Sequence, residues 1–289
     1  MASYQIIEPE FSARRTETYK LSILLGVDSL VYLVYNNTFQ LLLLNRLNFD
    51  PTQAESPEAA IRKVIEGEKL LQNSYGSVKI AVDSRLQTLV PHRLFDGSDL
   101  RTYFLNLAPL APGVTLADNH LSELEAHLVY AHSFELLKVF TEFFPSAEVF
   151  HLGSAVLTGC HKLQQEQQGE RIYLNVQDHN LHIAYFRDTE LVFYNRFGFR
   201  DGKDFVYYAL LAYDQFHLDA ERVPVRLSGD ITEDSEIYKL LYRYIRHLDF
   251  AAPPVTYRLS DRAAEQISEH RYFALYSLHE CRSGMPAIG

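Results

Sequence analysis

Residues 171–248 carry three strand-like segments, then a helix, a strand and a second helix, and this order constrains the fold more than any other feature. The strands read RIYLNVQD, HNLHIAYFRD and TELVFYNRF, with polar turns at Asp178-His179-Asn180 and Arg187-Asp188-Thr189. GKDFVYYALLAYDQFHL follows as a helix, VPVRLSG as a strand, and residues 234–248 as a second helix. Ile237, Leu240, Leu241, Tyr244, Ile245 and Leu248 recur at helical spacing and define its inner face. Three strands joined by tight turns pair antiparallel, whereas a strand reached through a helix pairs parallel. The stretch therefore predicts a mixed sheet in which VPVRL lies parallel to one of the first three strands.

The N-terminal half repeats the pattern. Leu21–Asn36 and Phe39–Phe49 read as two apolar strands joined at Asn36-Asn37, a hairpin turn. Ser56-Pro57 opens a helix, and SVKIAVD is a strand apolar enough to be covered on both faces. HLVYAH, FELLKVFTEFF and AEVFHL give strand, helix and strand, after which Ser154 is placed as the N-cap of a helix through Lys162. The polar LQQEQQGE segment reads as a linker, which divides the chain into domains at 1–168 and 169–289, with 260–281 free to pack back on the first. VTYRL reads as a short strand near the C-terminus.

A formal charge of −10 with no run of Lys or Arg disfavours a nucleic-acid partner, which would demand a basic patch. No apolar run reaches the roughly 20 residues that span a bilayer, and the acidic start MASYQIIEPE lacks a signal-peptide layout. Cys160 and Cys281 match no metal or redox spacing, so a reducing, cytoplasmic setting is expected.

Several short motifs carry a family resemblance: Thr88-Leu89-Val90-Pro91 with Leu94-Phe95, Asn195 with Phe197, Asp204-Phe205-Val206-Tyr207-Tyr208, Leu227-Ser228-Gly229 and Leu278-His279-Glu280-Cys281. With the two-fold layout, they resemble the actin, sugar-kinase and heat-shock-chaperone ATPase superfamily over about Leu21 to Cys281. The chain is most similar there to bacterial actin-like proteins of pilus assembly and secretion. More narrowly, it resembles a Bacteroidetes domain family of unknown function with an actin-like ATPase fold. The resemblance implies an α/β chain of two actin-like, ribonuclease-H-like domains around a cleft.

It also implies where nucleotide would sit. Each domain of the superfamily offers a hairpin beginning Asp-x-Gly, whose Asp holds magnesium and whose Gly admits phosphate, and a third motif ends in Gly-Gly beside adenosine. At those places this sequence has Asp28-Ser29-Leu30, Asn175-Val176-Gln177 and Ser228-Gly229-Asp230. Leu30 and Gln177 put side chains where glycine is wanted, Asn175 lacks the charge, and Asp230 adds a repulsive one. Asp28, Ser29, Asn175, Gln177, Ser228, Gly229 and Asp230 are then the remnant of a nucleotide site. The expectation is a non-catalytic scaffold with no cofactor; the alternative is a diverged ATPase or small-molecule kinase that binds ATP with magnesium weakly.

Other constellations give less. NHLSELEAH holds His120, Glu123, Glu125 and His127; a helix would put Glu123 and His127 one turn apart, but two ligands do not make a site and no third partner is signalled nearby, so no metal site is expected and a solvated turn entering a strand explains it. Gly153–Gly159 lacks the Gly-Lys-Ser/Thr ending of a phosphate loop. Cys160 and His161 point about 100° apart on a helix and make no nucleophile pair. Tyr238 and Tyr242, with Lys239, Arg243 and Arg246 near them, read either as a partner-binding stripe for another protein or a second copy, or as the rim of the core.

Overall fold

The computed structural model describes residues 4–105, 107, 109–254, 257–282 and 285–286. The chain divides into two compact units, Met1–Ala155 with Thr256–Ile267 and Leu278–Gly289, and Val156–Val255 with Ser268–Ser277.

The first unit opens with β1 (Tyr4–Ile7), β2 (Lys20–Leu25), β3 (Ser29–Tyr35) and β4 (Leu41–Asn48). The expected strand Leu21–Asn36 is broken: Gly26, Val27 and Asp28 form a turn, closed by Gly26 N–H donating to the Ser29 carbonyl at 2.8 Å. The apolar run on both sides hid this reversal, because a turn three residues long leaves the hydrophobicity of its flanks unchanged. Helix α1 (Pro57–Gly67) starts as expected, with Ser56 Oγ accepting from Ala59 N–H and Pro57 in the first turn. Strand β5 (Ser77–Val82) lies parallel to β2.

Strands β6 (Gln87–Pro91), β7 (Val114–Leu121) and β8 (Ala126–Ser133) form a separate antiparallel sheet with β8 in the middle. NHLSELEAH is thus the end of β7, one 3-10 turn and the start of β8, not a helix. Helix α2 (Phe134–Phe143) and strand β9 (Glu148–His151) follow, and β9 pairs parallel with β5. The core of this unit gathers Ile23, Tyr32, Ile80, Phe140 and Val149, all essentially sealed from water.

The next helix, α3 (Leu152–Gln165), begins before Ser154, so Ser154 is no N-cap. Its hydroxyl donates instead to Asn119 Oδ1 at 2.8 Å, and the same oxygen accepts from His151 N–H. The division between the units falls within this helix, and Gln164 near its end is fully buried. Gln164 Oε1 accepts from Arg171 and from the Tyr173 hydroxyl.

The second unit follows the expected order: β10 (Glu170–Gln177), β11 (Asn180–Arg187), β12 (Glu190–Gly198), α4 (Gly202–Gln215) and β13 (Val225–Gly229). Asp201 caps α4 by accepting from Lys203 and Asp204 N–H, which holds its carboxyl below the usual range. Phe205, Val206, Ala209, Ala212 and Tyr213 give α4 its buried stripe. Strand β13 lies parallel to β10, and β12 and β13 share one sheet, as the sequence predicts.

The second helix is shorter than its periodicity suggests. It is α5 (Glu236–Leu241), after which Arg243 and Tyr244 N–H bond three residues back and the chain leaves the helix. Leu248 begins β14 (Leu248–Phe250), a parallel neighbour of β13. Pairing with an open sheet edge outweighs the last helical turns, and Tyr244 is left exposed. The β12-β11-β10-β13-β14 order then matches β4-β3-β2-β5-β9 of the first unit strand for strand.

Helices α6 (Asp261–Gln266) and α7 (Phe273–Ser277) and the short β15 (Met285–Pro286), paired with β9, end the described chain. The expected strand VTYRL begins at Val255 and Thr256, which lie outside the described residues; Arg258 makes a single bridge to Gln40. Among the described residues no helix is long and apolar enough to cross a membrane.

Candidate functional site

The second unit brings several of the expected residues together. Asn175 on β10 stands directly beside Ser228 on β13 in the parallel register. The Asn175 NH2 group donates to Ser228 Oγ at 2.9 Å, while its Oδ1 is buried without a partner. Gln177, two residues on, is buried as well. The turn after it is tight: Asp178 takes the left-handed conformation at φ 53°.

Gly229 ends β13 at φ +82°, and a Cβ there would collide with the Val176 carbonyl oxygen. Only glycine permits this approach. The contact lets Asp230 N–H donate to that carbonyl at 2.7 Å. The Asp230 carboxylate is not left as a bare negative charge. Arg271 Nη2 lies 3.3 Å from Asp230 Oδ1, with both side chains largely buried. Beside it, His270 Nε2 donates to the Ile231 carbonyl at 2.8 Å. Burial and the neighbouring Arg271 charge hold the His270 imidazole below its ordinary pKa, and the hydrogen bond to Ile231 opposes them. The repulsion expected from Asp230 is therefore offset by a residue 41 positions later. No local signal in the sequence marks Arg271 for that role.

Asp28 and Ser29 belong to the other unit. Asp28 is exposed in the β2–β3 turn rather than set in a strand, and its carbonyl accepts from Phe49 N–H. It borders an open depression with Asn48, Asp50, Gln53 and Lys63. Ser29 is buried, its Oγ accepting from Arg46 Nη2 at 3.0 Å. Leu30 is sealed in the core of its unit, so its side chain is a packing element rather than an obstacle at the turn.

Tyr238 and Tyr242 stack with ring centroids 6.2 Å apart. Tyr238, on α5, is half-buried and also stacks on Phe250, whereas Tyr242, past the helix end, is 58% exposed. Arg246 is exposed nearby in the chain, its N–H donating to the Ala220 carbonyl. Cys160 and His161 do not pair: the thiol is buried and pushed well up in pKa, and His161 bonds Gln165.

A family model described as Protein of unknown function (DUF3822) matches residues 8–248. The structure is similar to a crystal structure from Bacteroides thetaiotaomicron VPI-5482 of a protein with actin-like ATPase fold and unknown function. The TM-score is 0.79 at 19% identity, covering 94% of this chain and 99% of that one. It is also similar to a chain of the PilM-PilN type IV pilus biogenesis complex, with a TM-score of 0.60 at 15% identity, covering 91% and 98%. A search of curated proteins finds no match. At these identities the likeness is one of fold, and the fold is α/β and actin-like, as the motifs imply.

Proposed function

The chain belongs to the family Protein of unknown function (DUF3822), and we propose that it is a scaffold or interaction protein whose actin-like fold does not bind magnesium-ATP productively. One observation carries this reading: a buried amide, Asn175, tied to Ser228, occupies the place where the superfamily resemblance calls for a carboxylate. Magnesium is a hard cation bound through carboxylates and phosphate oxygens. Asn175 offers at most a neutral carbonyl oxygen, so the donor set of this unit does not fit the ion.

The loss of one charge-assisted contact costs about 1.5–3 kcal/mol, a weakening of roughly 10- to 150-fold. A site that would otherwise hold ATP at about 10 μM then falls to about 0.1–1.5 mM. The partner in this reading is a protein, either another chain or a second copy. One structure of the same fold is that of a pilus biogenesis complex, and the net charge of −10 disfavours nucleic acid. A cytoplasmic setting accords with two cysteines at no framework spacing.

A diverged ATPase or small-molecule kinase is the second reading. It is favoured by the exposed Asp28 carboxylate and by Arg271, which offsets the Asp230 charge. Calorimetry with ATP and magnesium separates the two. The scaffold reading expects binding of about 0.1 mM or weaker, unchanged by Asp28→Ala. A low-micromolar constant that Asp28→Ala abolishes overturns it in favour of the enzyme.

A further inference from the structure

The separate three-stranded sheet gathers histidines that the scaffold reading does not use. Its central strand β8 has β6 on one side and β7 on the other. Cross-strand partners, and residues two apart along a strand, share a face. His120 of β7 pairs directly with His127 of β8, and Val90 of β6 pairs with His127 from the other side. His92 follows two residues after Val90, fixed by its N–H donating to the Glu125 carbonyl at 2.7 Å. Register alone thus brings three imidazoles from three segments to one face, and one nitrogen of each lies within 4.8 Å of the others.

The hydrogen bonds fix how they are poised. His127 Nδ1 lies 2.8 Å from Asp118 Oδ2. A carboxylate only accepts, so Nδ1 carries the hydrogen and Nε2 keeps its lone pair. That Nε2 is 2.9 Å from His92 Nδ1. A carboxylate holding one ring nitrogen while the other is free to donate is the arrangement that orients and strengthens metal-binding histidines. His127 is further held by stacking on Phe95, with centroids 3.6 Å apart and planes within 4°. His120 stacks on it at 4.5 Å.

We propose that His92, His120 and His127 bind a divalent transition-metal cation, zinc by their ligand chemistry, with Asp118 as the positioning residue for His127. Three imidazoles suit zinc and leave a fourth position for water. Zinc–nitrogen bonds of about 2.0–2.1 Å put tetrahedral nitrogens about 3.3 Å apart, so the His92–His127 pair opens by about 0.4 Å. His92 can yield, being exposed and on a single 3-10 turn. The ion replaces the N–H···N hydrogen bond, and His92 shifts its ring proton to Nε2, within reach of water. Rotation of the half-buried His120 ring about its Cβ–Cγ bond brings in the third nitrogen. The ion then clips the turn after β6 to the β7–β8 hairpin.

The test titrates zinc chloride into the untagged, chelator-stripped full chain by calorimetry, with cobalt(II) absorption as a second readout. One zinc per chain is expected, with visible bands of four-coordinate cobalt. His92→Ala and His120→Ala should each weaken binding at least about tenfold, with the far-ultraviolet circular dichroism unchanged. Asp118→Asn should weaken it roughly 10- to 100-fold. His127 is left unvaried because it is buried and stacked. Absence of zinc binding, or an affinity that neither His92→Ala nor His120→Ala alters, overturns the site; an affinity unaltered in Asp118→Asn overturns the positioning role.

Discussion

Replacing Gly229 with alanine probes the tight approach of β13 to β10. Gly229 sits at φ +82°, and a Cβ there would strike the Val176 carbonyl oxygen, with the Val176 backbone C and N at 2.8 and 2.9 Å. The left-handed conformation alone costs an L residue about 1–2 kcal/mol. The clash is with backbone of β10, the middle strand of its sheet, which cannot swing aside as a flexible side chain would. Relief requires the end of β13 to move off, breaking the 2.7 Å bond from Asp230 N–H to the Val176 carbonyl and loosening the Asn175–Ser228 pair. Each buried polar group so stranded costs about 1–3 kcal/mol. Strain and one stranded group together come to about 2–5 kcal/mol. Gly113 supplies the control: its φ is +78°, yet nothing lies within 4 Å of an added Cβ. Gly113→Ala should therefore lose only the strain, about 1–2 kcal/mol. Urea denaturation followed by circular dichroism gives both values, and hydrogen exchange at Asp230 localises the larger one. A Gly229→Ala protein no less stable than Gly113→Ala would refute the argument from close approach.

Two further tests follow from the same geometry. Tyr242→Ser should leave the melting temperature nearly unchanged while reducing any self-association or partner capture, whereas Tyr238→Ser should cost about 1–2 kcal/mol because its ring stacks on Phe250; equal thermal losses would place both rings in the core. His132 is buried, and desolvation holds its imidazole below the ordinary value of 6.5, against a raising hydrogen bond to the Ser133 carbonyl. Between its folded pKa and 6.5 the unfolded chain binds more protons than the native one, so this contribution is complete above 6.5 and is lost as the pH falls through that window. The limiting slope is about 1.4 kcal/mol per pH unit. His132→Gln should flatten the acid limb of the denaturation profile relative to the parent, and an identical slope in both proteins would exclude His132.

The strands of the second unit were legible because their signals are local. Alternating apolar residues and the turn residues Asp178, His179 and Asp188 lie within a few positions of the bonds they make. Residues 234–248 resist a local reading for the converse reason: their helical period is real, but Leu248, Asp249 and Phe250 pair with Val225, Arg226 and Leu227, and no window on the helix contains that strand. The candidate site divides the same way. Asn175, within β10, and Gly229, at the end of β13, are reached through the superfamily resemblance, whose motifs are short and contiguous. Arg271 beside Asp230, and His92 beside His127, depend on register and on chain return, which residue spacing does not encode. Ser154 shows the opposite error, a good capping residue whose hydroxyl was claimed by a buried amide 35 positions earlier.

The first unit is closed by chain made after most of the second unit. Tyr257 packs edge-on against Tyr35, Ser260 donates to Glu8, and Lys79 Nζ donates to the Cys281 carbonyl at 2.5 Å across 202 positions. At translation speeds of about 5–20 residues per second, Lys79 leaves the ribosome about 10–40 s before that partner exists. Throughout that interval the earliest strands lack their final covering, and the entire second unit is synthesised meanwhile. A nascent chain halted after residue 255 would therefore be incomplete at its beginning, and quality control that senses unfinished N-terminal strands would read a C-terminal truncation as an N-terminal defect.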